Sequence, residues 1–122
     1  MPVHIKRAYE AAEKSDGMRV LVDRVWPRGV SKEDAEIDEW LKEVGPSKKL
    51  RQWFDHDPDK FEEFKRKYKE ELENNEEQNA ALEQLKKWTK ERKKDLTLVF
   101  GAKEETYNQA AVLKEILDRQ HV

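Results

Sequence analysis

Residues 96–100 read Leu-Thr-Leu-Val-Phe, the clearest strand in the chain. The run is short, uncharged and rich in β-branched and aromatic side chains, and Gly101 closes it. A second run, Val20-Leu21-Val22, reads as a central strand within residues 18–23. A third, residues 3–9 (VHIKRAY), alternates: Val3 and Ile5 share one face, His4 and Lys6 the other, as in a half-buried edge strand. Between the second run and the last, the apolar spacing is mostly helical. Strands at both ends of a chain with helices between them need crossover connections, so the pattern implies an α/β sheet that is at least partly parallel.

The helices announce themselves by their caps. Ser31 with Asp34 matches a capping box, which starts a helix near Lys32. Residues 37–44 stay ambiguous: Ile37, Trp40, Leu41 and Val44 fit helical spacing, while residues 38–42 also fit a short strand. Gly45-Pro46 ends either version, and Ser47 caps a helix whose inner face is Leu50, Trp53 and Phe54. Asp57 at the N-cap and Pro58 at the first helical position start the next helix. Its apolar stripe is Phe61, Phe64, Tyr68 and Leu72, with Glu62–Arg66 and Glu63–Lys67 as pairs four residues apart. Asn74-Asn75 breaks it. Leu82, Leu85 and Trp88 mark a further helix, and Ala110, Leu113, Ile116 and Leu117 the last.

Bulk composition narrows the class. A chain of 122 residues reads as one domain spanning 1–122. No cysteine is present, which excludes disulfides, thiolate metal sites and cysteine nucleophiles. No run of roughly 18 apolar residues suits a membrane, and the first residues do not form a signal peptide. The expectation is a soluble cytoplasmic protein, a monomer or small homo-oligomer. Charged residues make up 43% of the chain but nearly cancel to a net charge of −2, which disfavours a broad polyanion-binding face. Four Trp, four Phe and three Tyr at regular spacing favour a packed fold over disorder.

In open α/β sheets, ligands sit outside the carboxyl ends of the strands. One such end here carries Asp23, Arg24 and Arg28, the other Gly101, Lys103, Thr106 and Asn108, each just ahead of a helix. If those strands are neighbours, Arg24, Arg28 and Lys103 line one crevice, and guanidinium forks suit carboxylate or phosphate. The plainer alternative is that Asp23 pairs with an arginine and Trp26 plugs the sheet end. Neither a P-loop nor a G-x-G-x-x-G loop occurs. Asp55-His56-Asp57 places a histidine between carboxylates, so His56 is the first candidate general acid or base and Asp23 the second. Helix capping by Asp57 and a loop hydrogen bond from His56 are the competing explanation. His4 and His121 lie far from His56 in sequence, and no cluster has metal-ligand spacing, so no metal and no cofactor are expected. The basic run from Lys86 to Lys94 suits either nucleic acid or a solvated helix end, and the acidic residues 70–77 oppose the former.

The assembled stretches are IKRAYE (5–10), DGMRVLVDRVWPRGVSK (16–32), DEWLKEVGPS (38–47), LRQWFDHDP (50–58), FGAK (100–103) and NQAAVLKE (108–115). In that order they resemble the YeaO-like branch of the domain of unknown function 488, a family of uncharacterised bacterial proteins. The departures are small: the family tends to have glycine where Asp55 stands, and alanine where Gly45 and Gly101 stand. The resemblance implies a single three-layer Rossmann-like domain, with a small mostly parallel sheet flanked by helices and a strand at 38–42. It assigns no chemistry. Longer relatives carry Cys and His after the last strand, where this chain reads Thr106-Tyr107-Asn108-Gln109, so thiol or metal chemistry does not carry over. Members are sometimes labelled transcriptional regulators, and no helix-turn-helix supports that here. The positions that carry over, without roles, are Asp23, Arg24, Trp26, Pro27, Arg28, Gly29, Lys32, His56, Asp57, Lys103 and Asn108.

Three functions follow in order. The first is binding of an anionic small molecule, such as a phosphorylated one, by Arg24, Trp26, Arg28, Lys32, Lys103 and Asn108. The second is a hydrolase or transferase using His56 or Asp23. The third is a nucleic-acid-binding or regulatory module using Lys86–Lys94, ranked last because the net charge is negative. Whether the chain is an enzyme is left open by its residues.

Overall fold

The computed structural model describes residues 3–91 and 95–119. Four strands form one sheet: β1 (Val3–Arg7), β2 (Met18–Leu21), β3 (Glu39–Trp40) and β4 (Leu96–Phe100). Their order is β1-β4-β2-β3, and every neighbouring pair is parallel. The apolar run 96–100 thus takes the middle of the sheet, paired on both sides and buried throughout. Leu98 lies opposite Ile5 on one side and Val20 on the other. β1 lies at an edge, as its alternation predicts, and His4 is exposed.

One sheet face carries the main core. Val3, Met18, Val20, Leu96, Leu98 and Phe100 point into it. Four helices cover it: α2 (Lys48–Phe54), α3 (Phe61–Asn74), α4 (Glu76–Glu91) and α5 (Gln109–Arg119). Their buried stripes are the ones the spacing predicts: Leu50 and Phe54; Phe61, Phe64, Tyr68 and Leu72; Leu82 and Leu85; Ala110, Leu113 and Leu117. Trp53, Trp88 and Ile116 pack at the rim of the same core. The opposite face is a thinner third layer. There Ala8, Leu21 and Val99 sit beneath Trp26, Val30 and Ile37, which belong to the segment around α1 (Lys32–Ala35). This is the expected α/β arrangement, with helices concentrated on one side. Among the described residues, no helix is long and apolar enough to cross a membrane.

The ambiguous segment resolves into a strand of two residues, shorter than the 38–42 expected, then a 3-10 turn at Lys42–Val44. Its helical spacing is accidental. Ile37 packs on the thin face, whereas Leu41 and Val44 pack on the main one. The cap residues are placed as read, with two differences: the Ser31–Asp34 capping box forms only in its Ser31 half, and Asp57 caps a 3-10 turn at Pro58–Lys60 that leads into α3 rather than α3 itself. The Ser31 hydroxyl accepts from Asp34 N–H at 3.0 Å, Ser47 from Leu50 N–H at 3.1 Å, and Asp57 from Asp59 N–H at 3.0 Å. The expected Glu62–Arg66 pair is not formed. Arg66 turns forward to Glu70 at 2.9 Å and Glu62 meets Lys65 at 3.7 Å, while Glu63–Lys67 is present at 3.7 Å. Exposed pairs of this kind differ little in energy, so either partner suffices.

Residues 44–47 are held at almost every backbone group. Val44 C=O accepts from the Tyr68 hydroxyl, and Gly45 C=O from Gln78 Nε2 at 3.1 Å and Arg24 Nε at 3.0 Å. Ser47 N–H donates to Glu71 at 2.9 Å. Burial pushes the Tyr68 phenol well above its ordinary range, so the hydroxyl keeps its proton and donates it. Replacing it leaves Val44 C=O unpaired in the core. Tyr68→Phe is therefore expected to lose about 1–3 kcal/mol of stability, read as a lower urea midpoint with an unchanged slope. An unchanged midpoint would show that the hydroxyl does not secure this loop.

Candidate functional site

The site begins where β2 runs out. Val22 N–H still reaches Val99 C=O at 3.0 Å, so Asp23 arrives opposite Gly101. There the side chain takes over from the backbone. Asp23 Oδ2 accepts the Gly101 N–H at 2.8 Å, the next donor that the ladder would have used. Its Oδ1 accepts from Nε2 of Gln109, the first residue of α5. One carboxylate thus ties the ends of two neighbouring strands to the start of a helix. The plainer alternative, an ion pair between Asp23 and an arginine, does not form among the described residues.

Arg24 is anchored by its Nε, which donates to Gly45 C=O at 3.0 Å and Pro46 C=O at 2.9 Å. Its stem passes so close to Gly45 that a Cβ there would lie 2.9 Å from Arg24 Cγ. Glycine at this position relieves that crowding. A Cβ at Gly101 would press on Asp23 Oδ2 at 3.1 Å. Trp26 does plug the sheet end: it packs on the thin-face cluster, donates to Val30 C=O at 2.7 Å and meets Trp40 edge-on at 5.5 Å. Trp40 in turn donates to Asp23 C=O at 2.7 Å.

These residues border a cavity of about 350 Å³ outside the carboxyl ends of β2 and β4. Asp23, Arg24, Trp26, Arg28, His56 and Asn108 all line it. Lys32 and Lys103 do not: both are exposed and outside the lining, so the expected crevice of Arg24, Arg28 and Lys103 loses its lysine. Arg51 takes that place, with Gln109 and Tyr9 beside it. Sequence reasoning passed over Arg51 because it sits on the outer face of a correctly read helix. Its only signal was membership of the family stretch LRQWFDHDP. Asn108 lines the cavity but is committed as a helix cap, its Oδ1 accepting from Ala111 N–H at 2.9 Å and its Nδ2 donating to Glu104 C=O at 2.7 Å.

His56 reaches the cavity through an unusual backbone. Asp55 and His56 are both left-handed, with φ of 45° and 55°. Two such residues in succession reverse the chain at the end of α2 and swing the imidazole back toward Phe54, 6.4 Å between ring centres. A glycine at position 55 would suit this conformation without steric cost. His56 is exposed and makes no hydrogen bond or ion pair with a described residue, so neither flanking carboxylate orients it. The expected loop hydrogen bond is absent as well.

The charge balance of the cavity is lopsided. Arg24, Arg28 and Arg51 face it and Asp23 is its single acid. Neither Arg28 nor Arg51 spends its guanidinium on another described residue. Burial pushes the Asp23 carboxyl up to about 6, against the pull of the Gly101 N–H, the Gln109 amide, Arg51 and His56. Among the described residues, no group of three or more His, Cys, Asp or Glu could hold a metal ion. The basic run is only partly described: Lys86, Lys87 and Lys90 lie on the last turns of α4, Lys86 meets Glu83 at 3.1 Å, and residues 92–94, like His121, lie outside the described residues.

Comparison with known proteins gives a consistent picture. The family described as the inactive DUF488-N3 subclade matches residues 2–121. The chain is 42% identical over 117 residues to YeaO of Escherichia coli, an uncharacterised protein, covering 96% of this chain and 97% of that one. It is 41% identical over 116 residues to an uncharacterised protein of Mycobacterium tuberculosis, covering 95% and 93%. No solved structure matches the chain.

The raised Asp23 carboxyl has a definite sign in stability. The folded protein binds this proton more tightly than the unfolded chain, whose value is 3.8. The contribution is therefore complete below about pH 4 and lost as pH rises through about 6. Asp23→Asn mimics the protonated form, and Gln109 can rotate its amide to accept from the new NH₂. The variant is expected to exceed the native chain by on the order of 2 kcal/mol at pH 8, with the gap closing toward pH 4. Urea denaturation across that range measures it, and a gap independent of pH would contradict the buried-carboxylate account.

Proposed function

The chain belongs to the inactive DUF488-N3 subclade, and from that premise we propose that it binds a small anionic molecule in the crevice at the carboxyl ends of β2 and β4. The carrying observation is the charge of the lining: three arginines against one aspartate, in a chain whose net charge is −2. A positive pocket in a slightly negative protein concentrates anions locally and does not attract polyanions broadly. Two of the three guanidiniums are unspent within the described protein, and planar forks match carboxylate or phosphate oxygens. Arg24 is pre-positioned by its carbonyl anchors, which lowers the entropy lost on binding. A phosphorylated metabolite of modest size suits a volume of about 350 Å³.

An enzymatic reading has one observation in its favour, that His56 and Asp23 open into the same cavity as the arginines. Against it, nothing orients the imidazole, and the subclade is described as inactive. Binding without turnover accounts for more of the site. A nucleic-acid role through the end of α4 gains no comparable support.

Titration with inorganic phosphate tests the proposal. Amide resonances of residues 23–28, 51 and 101 are expected to move together in the millimolar range. Arg51→Ala, a change on an exposed helix face, is expected to weaken binding by roughly tenfold, the value of one charge-assisted hydrogen bond, at an unchanged melting temperature. If none of those amides responds at tens of millimolar phosphate, the anion site does not exist.

A further inference from the structure

The crevice holds one acid among its cations, and that acid has lone pairs to spare. Asp23 Oδ2 accepts one hydrogen bond from Gly101 and Oδ1 one from Gln109. An ionised carboxylate offers about four acceptor sites, so two remain on the groups that line the cavity. An anion drawn in by Arg24, Arg28 and Arg51 comes to rest beside them. The arginines attract any oxyanion by charge and do not distinguish one from another. A fully deprotonated oxyanion sets its own lone pairs and charge against those of Asp23, a repulsive contact in a partly desolvated site. An anion with an O–H fills the vacant acceptor instead and turns the same contact into a charge-assisted hydrogen bond.

Resting on the reading of the crevice as an anion site, we propose that Asp23 makes it selective for anions that carry their own hydrogen-bond donor. Hydrogen phosphate, protonated phosphate monoesters and hydroxy acids are accepted, and sulfate is rejected. The selectivity belongs to the ionised carboxylate, which exists above about pH 6. Below that, the protonated group donates to the guest and sulfate is tolerated. The groups facing Asp23 are Arg51 and His56 from α2 and the turn after it, Arg24 beside it in sequence, and Tyr68 from α3. The Tyr68 hydroxyl is committed to Val44 C=O. The arginines stay charged throughout, and any charge on His56 acts on both anions alike. The ratio of the two affinities therefore isolates Asp23.

Calorimetric titration of the native chain with inorganic phosphate and with sulfate, at matched ionic strength and at pH 8 and pH 5, tests this. At pH 8 phosphate is expected to bind about tenfold or more tightly than sulfate, and at pH 5 the preference shrinks to within about threefold. In Asp23→Asn the preference at pH 8 collapses. Phosphate's own loss of charge on acidification is read from the residual pH dependence of that variant. If Asp23→Asn does not fold, the phosphate-to-sulfate ratio of the native chain at pH 8, where the two anions carry nearly the same charge, decides alone. Equal affinities at pH 8 overturn the selectivity while leaving the anion site standing. Binding of neither anion overturns the anion site itself.

Discussion

Everything that defines the site follows from the placement of β4 between β1 and β2. Because β4 is paired on both sides, its carboxyl end stands next to that of β2, and Gly101 next to Asp23. Had β4 added to an outer edge, the two polar loops would lie strands apart and no common crevice would exist. The insertion also explains why β4 is buried at all five positions, since each face of a central strand is covered. Asp23 then acts as the seam. It uses a donor that the ladder leaves free and fixes α5 to the sheet through Gln109.

A second hub lies behind the site at residues 44–47. Arg24 reaches it from the crevice, Tyr68 from α3, and Gln78 from α4. The carbonyls of this short segment thus hold the guanidinium stem in place from below, while helices on the main core face hold the segment. Glycine at position 45 is part of the arrangement, because a larger residue crowds Arg24. The cation presented to the cavity is positioned by the core rather than by a mobile loop.

Much of this was legible in the sequence, for identifiable reasons. The apolar run at 96–100, the cap at Ser47, the helix start near Ser31 and the helix stripes each depend on local chemistry and agree with the structure, while Asp57 caps a 3-10 turn ahead of its helix. The presence of a cavity at the ends of β2 and β4 was also legible, since strand ends are a property of topology. Adjacency of those strands was an assumption until the pairing was seen. Residues 37–44 resisted because their apolar residues serve two faces of the sheet, which no single periodicity describes. Arg51 was missed and Lys103 over-read for one reason: proximity along the chain was taken for proximity in space. The resemblance to the family favoured a strand at 38–42 over a helix, of which the structure forms only Glu39–Trp40, and it contributed no chemistry.

The order of the strands also sets a timetable. β1 and β2 emerge from the ribosome early, yet their shared partner is the strand that begins at Leu96. At synthesis rates of roughly 5–20 residues per second, the nascent chain spends several seconds with the inner edges of β1 and β2 unpaired. Only β3, two residues long, is available to β2 in the meantime. A chain truncated before β4 would lack the centre of its sheet and keep two open edges, the condition under which strands pair with other molecules. Charged residues, 43% of the chain, are the composition that disfavours such pairing at an open edge.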